Sequence, residues 1–140
     1  MVRTTLVAAI ALLFASPSLA ADQFDLLCTG QLKQGVSSKA SPHSQTYRID
    51  LTGNRWCVGA CTETRPIYSA TSSMLTLMEG ADSSKSADGS ALTHNIDRTT
   101  GALFDFQYRP PLFASSLPSW WEFRATCEPR PFSGMPAAKF

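Results

Sequence analysis

The chain has 140 residues, with 12 Lys and Arg against 11 Asp and Glu, a formal net charge of +1, and 44% apolar residues that include eight Phe, three Trp and three Tyr. That balance suits one small domain with a modest core and excludes a disordered chain, which combines high net charge with few aromatics. It also argues against general nucleic-acid binding, which needs a basic surplus to neutralise phosphates.

Residues 1–20 have the layout of a secretory signal. Arg3 gives the positive start, an apolar stretch follows from Leu6 to Ala15, and Ser18-Leu19-Ala20 offers small residues at the −3 and −1 positions. The apolar stretch is too short to cross a bilayer as a helix. Cleavage is expected before Ala21, which also removes Arg3 and leaves a chain of zero net charge. The expected location is the periplasm, or the exterior after secretion, with no membrane insertion of the mature chain. Pro129, Pro131 and Pro136 interrupt the place where a final outer-membrane strand would lie.

From there on, apolar residues recur with period two, the mark of half-buried strands. Phe24, Leu26 and Cys28 alternate with polar neighbours. Residues 30–44 are Ser-rich and polar and are expected to be a loop, with His43 solvated in it. Tyr47, Ile49 and Leu51 form the next strand, Gly53-Asn54 a turn, and Arg55-Trp56-Cys57-Val58 a return strand. Residues 65–70 are a candidate edge strand because of Pro66. Residues 74–78 follow, then a polar Ser, Ala, Asp and Gly loop over 80–90. Residues 91–97 and 102–108 bracket a hairpin turn at Thr99-Thr100-Gly101, with Gly101 taking positive φ. Phe104, Phe106 and Tyr108 share one face of the returning strand, and Phe104 and Phe106 are expected to point inward with Phe24, Tyr47 and Phe123, which favours a filled interior. The last strand alternates Trp121, Phe123, Ala125 and Cys127 inward.

The expected fold is all-β. About eight short antiparallel strands meander and close into a small barrel or barrel-like sandwich, which removes vulnerable edges. The organisation is a signal (1–20), a single β domain (21–128) and an irregular Pro-rich C-terminal tail (129–140). Four cysteines in an oxidising compartment imply two disulfides. Cys28 and Cys127 lie on the apolar faces of the first and last strands, so a bridge would staple the two ends. Cys57 and Cys61 enclose Val58-Gly59-Ala60, a spacing unlike the usual Cys-x-x-Cys redox pair or paired zinc ligands. No metal and no cofactor is expected.

Tyr47-Arg48-Ile49-Asp50-Leu51, Trp56-Cys57 and Asp97-Arg98-Thr99-Thr100-Gly101 resemble the strands and hairpin of small exported bacterial β-rich proteins. The resemblance covers a minority of the chain. It implies the β fold and the exported location; no activity or site residue comes with it.

Catalytic patterns are not prominent. No serine sits in Gly-x-Ser-x-Gly, and no glycine cluster matches a phosphate-binding loop. His94 reads as a strand histidine with one nitrogen satisfied. Asp50, Asp97, Asp105 and Glu122 could be paired as glycosidase-like carboxylates. Their alternation places them outward or beside turns, where ion pairs with Arg48, Arg98 or Arg124 explain them more simply, and Asp97 is placed to cap its turn. The expected function is therefore not enzymatic. Leu112, Phe113 and Leu117 lie on a long loop just before Trp120, and apolar residues on a surface loop point to a contact site. The leading expectation is an exported binding or inhibitor-type domain presenting that loop to a protein or envelope partner. The alternative is a carrier holding a small apolar ligand inside the barrel, and a hydrolase is the third.

Overall fold

A computed structural model describes residues 21–35, 37–79, 90–111, 113 and 116–136. The expected signal, nearly all of the 80–90 loop, and Leu112 lie outside the described residues. The described residues form nine strands and no helix: β1 (Gln23–Gln34), β2 (Ser37–Asp50), β3 (Arg55–Val58), β4 (Arg65–Pro66), β5 (Ser69–Ala70), β6 (Met74–Glu79), β7 (Ala91–Asp97), β8 (Ala102–Arg109) and β9 (Ser119–Arg130). They make one antiparallel sheet in the order β4-β3-β2-β1-β9-β8-β7-β6-β5.

The sheet curls into a half-barrel. Its hydrogen-bonded centre is the pairing of the first strand with the last, and its two edges, β4 and β5, follow one another in the chain with only Ile67 and Tyr68 between them. Closure thus comes from the chain itself and not from a continuous ladder. Pro66 explains why β4 ends pairing there, since its nitrogen carries no hydrogen to donate. Both edges are two residues long, which limits what another chain could add to.

Cys28 and Cys127 are direct partners across β1 and β9, their Cα atoms 3.9 Å apart, and they stand at disulfide distance. Closing the intervening 99-residue separation stabilises by roughly 4–5 kcal/mol through loss of unfolded-chain entropy. Cys57 and Cys61 are likewise at disulfide distance across the turn after β3. Gly59, at φ 54°, makes that tight turn possible. Gly101 has φ 74°, and a Cβ there would meet the Cys127 carbonyl oxygen at 2.7 Å. Asp97 caps the same turn by accepting from the Thr99 and Thr100 N–H groups, at 2.7 and 2.9 Å.

The concave face is filled at one end by Phe24, Leu26, Ile49, Trp56, Ile67, Leu75, Ile96 and Leu103, all buried and packed together. Each such side chain stabilises by about 1.5–3 kcal/mol relative to exposure. On the convex side, residues 131–136 run as a strap. Asp25 accepts from the Ser133 hydroxyl, Arg48 Nη1 donates to the Gly134 carbonyl at 3.0 Å, and Met135 Sδ lies 3.6 Å from Cys57 Sγ.

Several sequence expectations need correction. Residues 30–44 are mostly strand, because β1 and β2 form one long hairpin with Gly30 opposite His43 and Leu32 opposite Ser41. Gln31, Gln34, Lys39, Ser41 and Ser44 are exposed there, and so many polar residues hide the alternation. β9 continues through Pro129, opposite Leu26, so the irregular tail starts after Arg130. Residues 65–70 split into two short edge strands. Most important, β8 is turned over: Leu103 and Asp105 are buried on the concave face, while Phe104 and Phe106 are only half-buried and stack at 6.3 Å on the other face, with the Arg124 guanidinium over the Phe104 ring.

Candidate functional site

The opposite end of the concave face is hollow. A cavity of about 300 Å³ is lined by Tyr47 of β2, Trp56 of β3, His94 of β7, Asp105 and Gln107 of β8 and Trp121 of β9, with Glu63, Arg65 and Met78 nearer the mouth. Its volume sits at the small end of the usual range for ligand pockets.

The register builds this site. His94 is the direct partner of Asp105 across β7 and β8, Asp105 the partner of Phe123 across β8 and β9, and Phe123 the partner of Leu32 across β9 and β1. Directly opposed residues on antiparallel strands share a face, so these side chains make one ring around the concave surface. One pleat further along, Gln107 stands opposite Trp121.

Asp105 and His94 are the buried polar centre. Their side chains are 5% and 2% exposed, and His94 Nδ1 lies 3.6 Å from Asp105 Oδ2, longer than a hydrogen bond. Asp105 accepts from Trp121 Nε1 at 3.1 Å and from Gln107 Nε2 at 3.4 Å. Burial raises its pKa to about 6, and those two neutral donors only partly offset the rise. Burial lowers His94 to about 4, so the imidazole is neutral at physiological pH. Burial, and then the charge of Asp105, pushes the Tyr47 phenol well above its ordinary value.

His94 has no protein partner at either ring nitrogen. The rings of Tyr47 and Trp56 meet it edge-on, with centroids at 5.0 and 5.4 Å. The expectation of one satisfied nitrogen is therefore corrected. A neutral imidazole keeps one donor and one acceptor, and leaving such groups unpaired in a buried place costs about 1–3 kcal/mol each. Asp105 is also corrected, from an outward position to a buried one. Asp50 is buried as well, but at a turn far from this chemistry. It accepts from the Gly53 N–H at 2.8 Å, from Gln23 Nε2 at 3.1 Å and from Arg55 Nε at 2.9 Å, and the Gly53 bond first of all holds its carboxyl below the usual range. His43 is not simply solvated: it sits edge-on to Phe123 and Trp121, at 4.9 and 5.7 Å.

At the mouth, Arg65 donates to Glu63 Oε2 and approaches Met78 Sδ, both at 3.3 Å. The second contact spans the gap between β4 and β6. Among the described residues, the cavity wall has hydroxyls only on Tyr47 and Thr62 and no serine, and its Cys57 is paired with Cys61. Among the described residues no three His, Cys, Asp or Glu gather as a metal site.

Phe113, Leu117 and Trp120, singled out from sequence, lie elsewhere. Phe113 and Leu117 are 73% and 70% exposed, on the connection between β8 and β9. Ser116 holds the Phe113 turn, its N–H donating to the Phe113 carbonyl at 3.0 Å and its Oγ accepting from the Phe113 N–H at 3.1 Å. Trp120 is a half-buried residue of β9 opposite Tyr108, and Leu112 is outside the described residues. Phe113, Leu117 and Trp120 do not line the cavity. The cavity residues carried one sequence signal: counting outward from the turn at residues 98–101 pairs Ile96 with Leu103 and His94 with Asp105.

No protein-family model, curated protein or solved structure matches this chain.

Proposed function

We propose that this protein binds a small organic ligand in the concave cavity and is a carrier or binding domain rather than a catalyst. The observation that carries the proposal is His94, buried with both ring nitrogens unpartnered beside the Asp105 carboxylate on the wall of a hollow. The inversion of β8 supports it. Placing Asp105 and Gln107 inside while Phe104 and Phe106 face outward sacrifices stability, and such local conflicts between pattern and fold concentrate at functional sites. The two cysteine pairs at disulfide distance fit an oxidising, extracytoplasmic location.

Native mass spectrometry of protein purified from its own source tests the proposal. A retained small molecule that is lost in His94→Phe is expected. A ligand retained equally by both proteins would place it outside this cavity.

A second reading, a contact surface for a protein or envelope partner, is favoured by the exposure of Phe113 and Leu117. Pull-down from an envelope extract with wild type and Phe113→Ala/Leu117→Ala separates it. Identical partner sets would remove the loop from consideration.

A further inference from the structure

We infer that the cavity takes a small organic cation, an amine or amidine on a compact body, whose N–H groups are accepted by the Asp105 carboxylate and by a bare ring nitrogen of His94. The inference rests on the ligand-binding proposal and adds the chemical class.

Charge is the first argument. The charged residues lining the cavity are Asp105, Glu63 and Arg65. Glu63 and Arg65 pair with each other at the exposed mouth, at 3.3 Å. That leaves Asp105, whose donors from Trp121 and Gln107 are both neutral. A carboxylate in so dry a place is costly until an opposite charge reaches it. A cationic ligand supplies that charge, and an anion would add repulsion.

Hydrogen bonding is the second. His94 Nδ1 and Asp105 Oδ2 stand 3.6 Å apart, a neutral imidazole keeps one bare acceptor nitrogen, and the carboxylate keeps lone pairs beyond those taken by Trp121 and Gln107. An ammonium or amidinium has donors for both. A ligand offering only acceptors would satisfy neither.

The walls are the third. Tyr47, Trp56 and Trp121 give the cavity an aromatic lining, which suits a desolvated organic cation. A hard metal ion needs more oxygen ligands than this wall offers, and no metal-ligating group of three gathers among the described residues.

Protonation gives the inference a direction. Asp105 must be ionised to hold the cation, and in the free protein it titrates at about 6. The groups facing it are His94 from β7, Tyr47 from β2, Trp121 from β9 and Gln107 on its own strand. His43 lies behind Trp121, and Glu63 and Arg65 stand at the mouth. His94, lowered to about 4, stays neutral across the same interval. Affinity for a cation therefore rises with pH until Asp105 is fully ionised and then levels.

Three probes of one shape test this: benzylamine, benzyl alcohol and benzoate, titrated against the full disulfide-bonded chain by calorimetry and Trp fluorescence. Benzylamine is expected to bind about tenfold or more tightly than benzyl alcohol, because it adds a charge-assisted hydrogen bond, with benzoate weakest. In wild type, benzylamine affinity should fall as pH drops below the Asp105 midpoint and level at that of benzyl alcohol, a readout that needs no variant. In Asp105→Asn, amine and alcohol should bind alike. If the alcohol or benzoate binds as well as the amine, or amine binding strengthens as pH falls, the cation inference is overturned and the ligand cavity stands. If none of the three binds at millimolar concentration, both are overturned.

Discussion

His94 Nδ1 and Asp105 Oδ2 stand 3.6 Å apart on neighbouring strands, and burial moves the two groups in opposite directions. The imidazole resists protonation and the carboxyl resists ionisation. At neutral pH the site thus holds one negative charge and one neutral ring.

The first prediction follows from linkage. His94 is lowered from 6.5 to about 4, so its contribution to stability is complete above 6.5 and is lost as pH falls toward 4. Asp105 is raised from 3.8 to about 6, so its contribution is complete below 3.8 and is lost as pH rises through 6. The two slopes oppose one another in wild type. His94→Gln should leave a protein that weakens with rising pH across this interval, and Asp105→Asn one that strengthens. Each change should amount to about 3 kcal/mol. Urea denaturation across the interval measures both, and slopes of the same sign in the two variants would contradict the assignment.

The cysteine pairs should differ in weight. Replacing Cys28 and Cys127 by Ser should cost about 4–5 kcal/mol, since a long loop is released, and replacing Cys57 and Cys61 only about 2 kcal/mol. Thermal denaturation of the two double variants gives the comparison. Equal losses would mean that strand pairing between β1 and β9 already constrains the unfolded chain.

Gly101→Ala should destabilise by about 1–3 kcal/mol, because a Cβ is strained at positive φ and would press on the Cys127 carbonyl. Asp97→Ala, which removes the acceptor for two turn N–H groups, should destabilise by less than Gly101→Ala. Denaturant midpoints rank the two, and a neutral Gly101→Ala would show that the turn relaxes without β9.

The legible and the hidden parts of this protein divide along the concave face. Cys28 and Cys127 could be matched from sequence because both fall on the apolar register of strands that also carry Leu26 and Phe123, and burial obeys alternation there. The hairpin at Gly101 was legible for a local reason, a turn that demands positive φ. β8 was not. Its two registers are Leu103-Asp105-Gln107 and Phe104-Phe106-Tyr108, and the more apolar one looks inward-facing until the hollow is known. The hidden residues are those of the cavity, where a polar interior reverses the pattern by which interiors are recognised. The β1–β2 hairpin was obscured in the same way, since its Ser, Gln and Lys residues extend past the filled end of the sheet.

Amide hydrogen exchange should grade the sheet. β1, β2 and β9 share the longest ladders and should exchange slowest, while β4 and β5 hold two pairs each and should exchange first. Uniform protection would indicate hydrogen bonding across the gap between the edges.

That gap makes the wall a split ring. Opposite the sulfur-clasped pair of first and last strands, circumference is set by the short link of Ile67 and Tyr68 and by the side chain of Arg65 reaching Met78. A ring bonded all round has one diameter, and one left open at a single joint can widen there while every other strand keeps its neighbour. Since Arg65 and Met78 also border the hollow, any bulkier guest would press first on the joint that can yield.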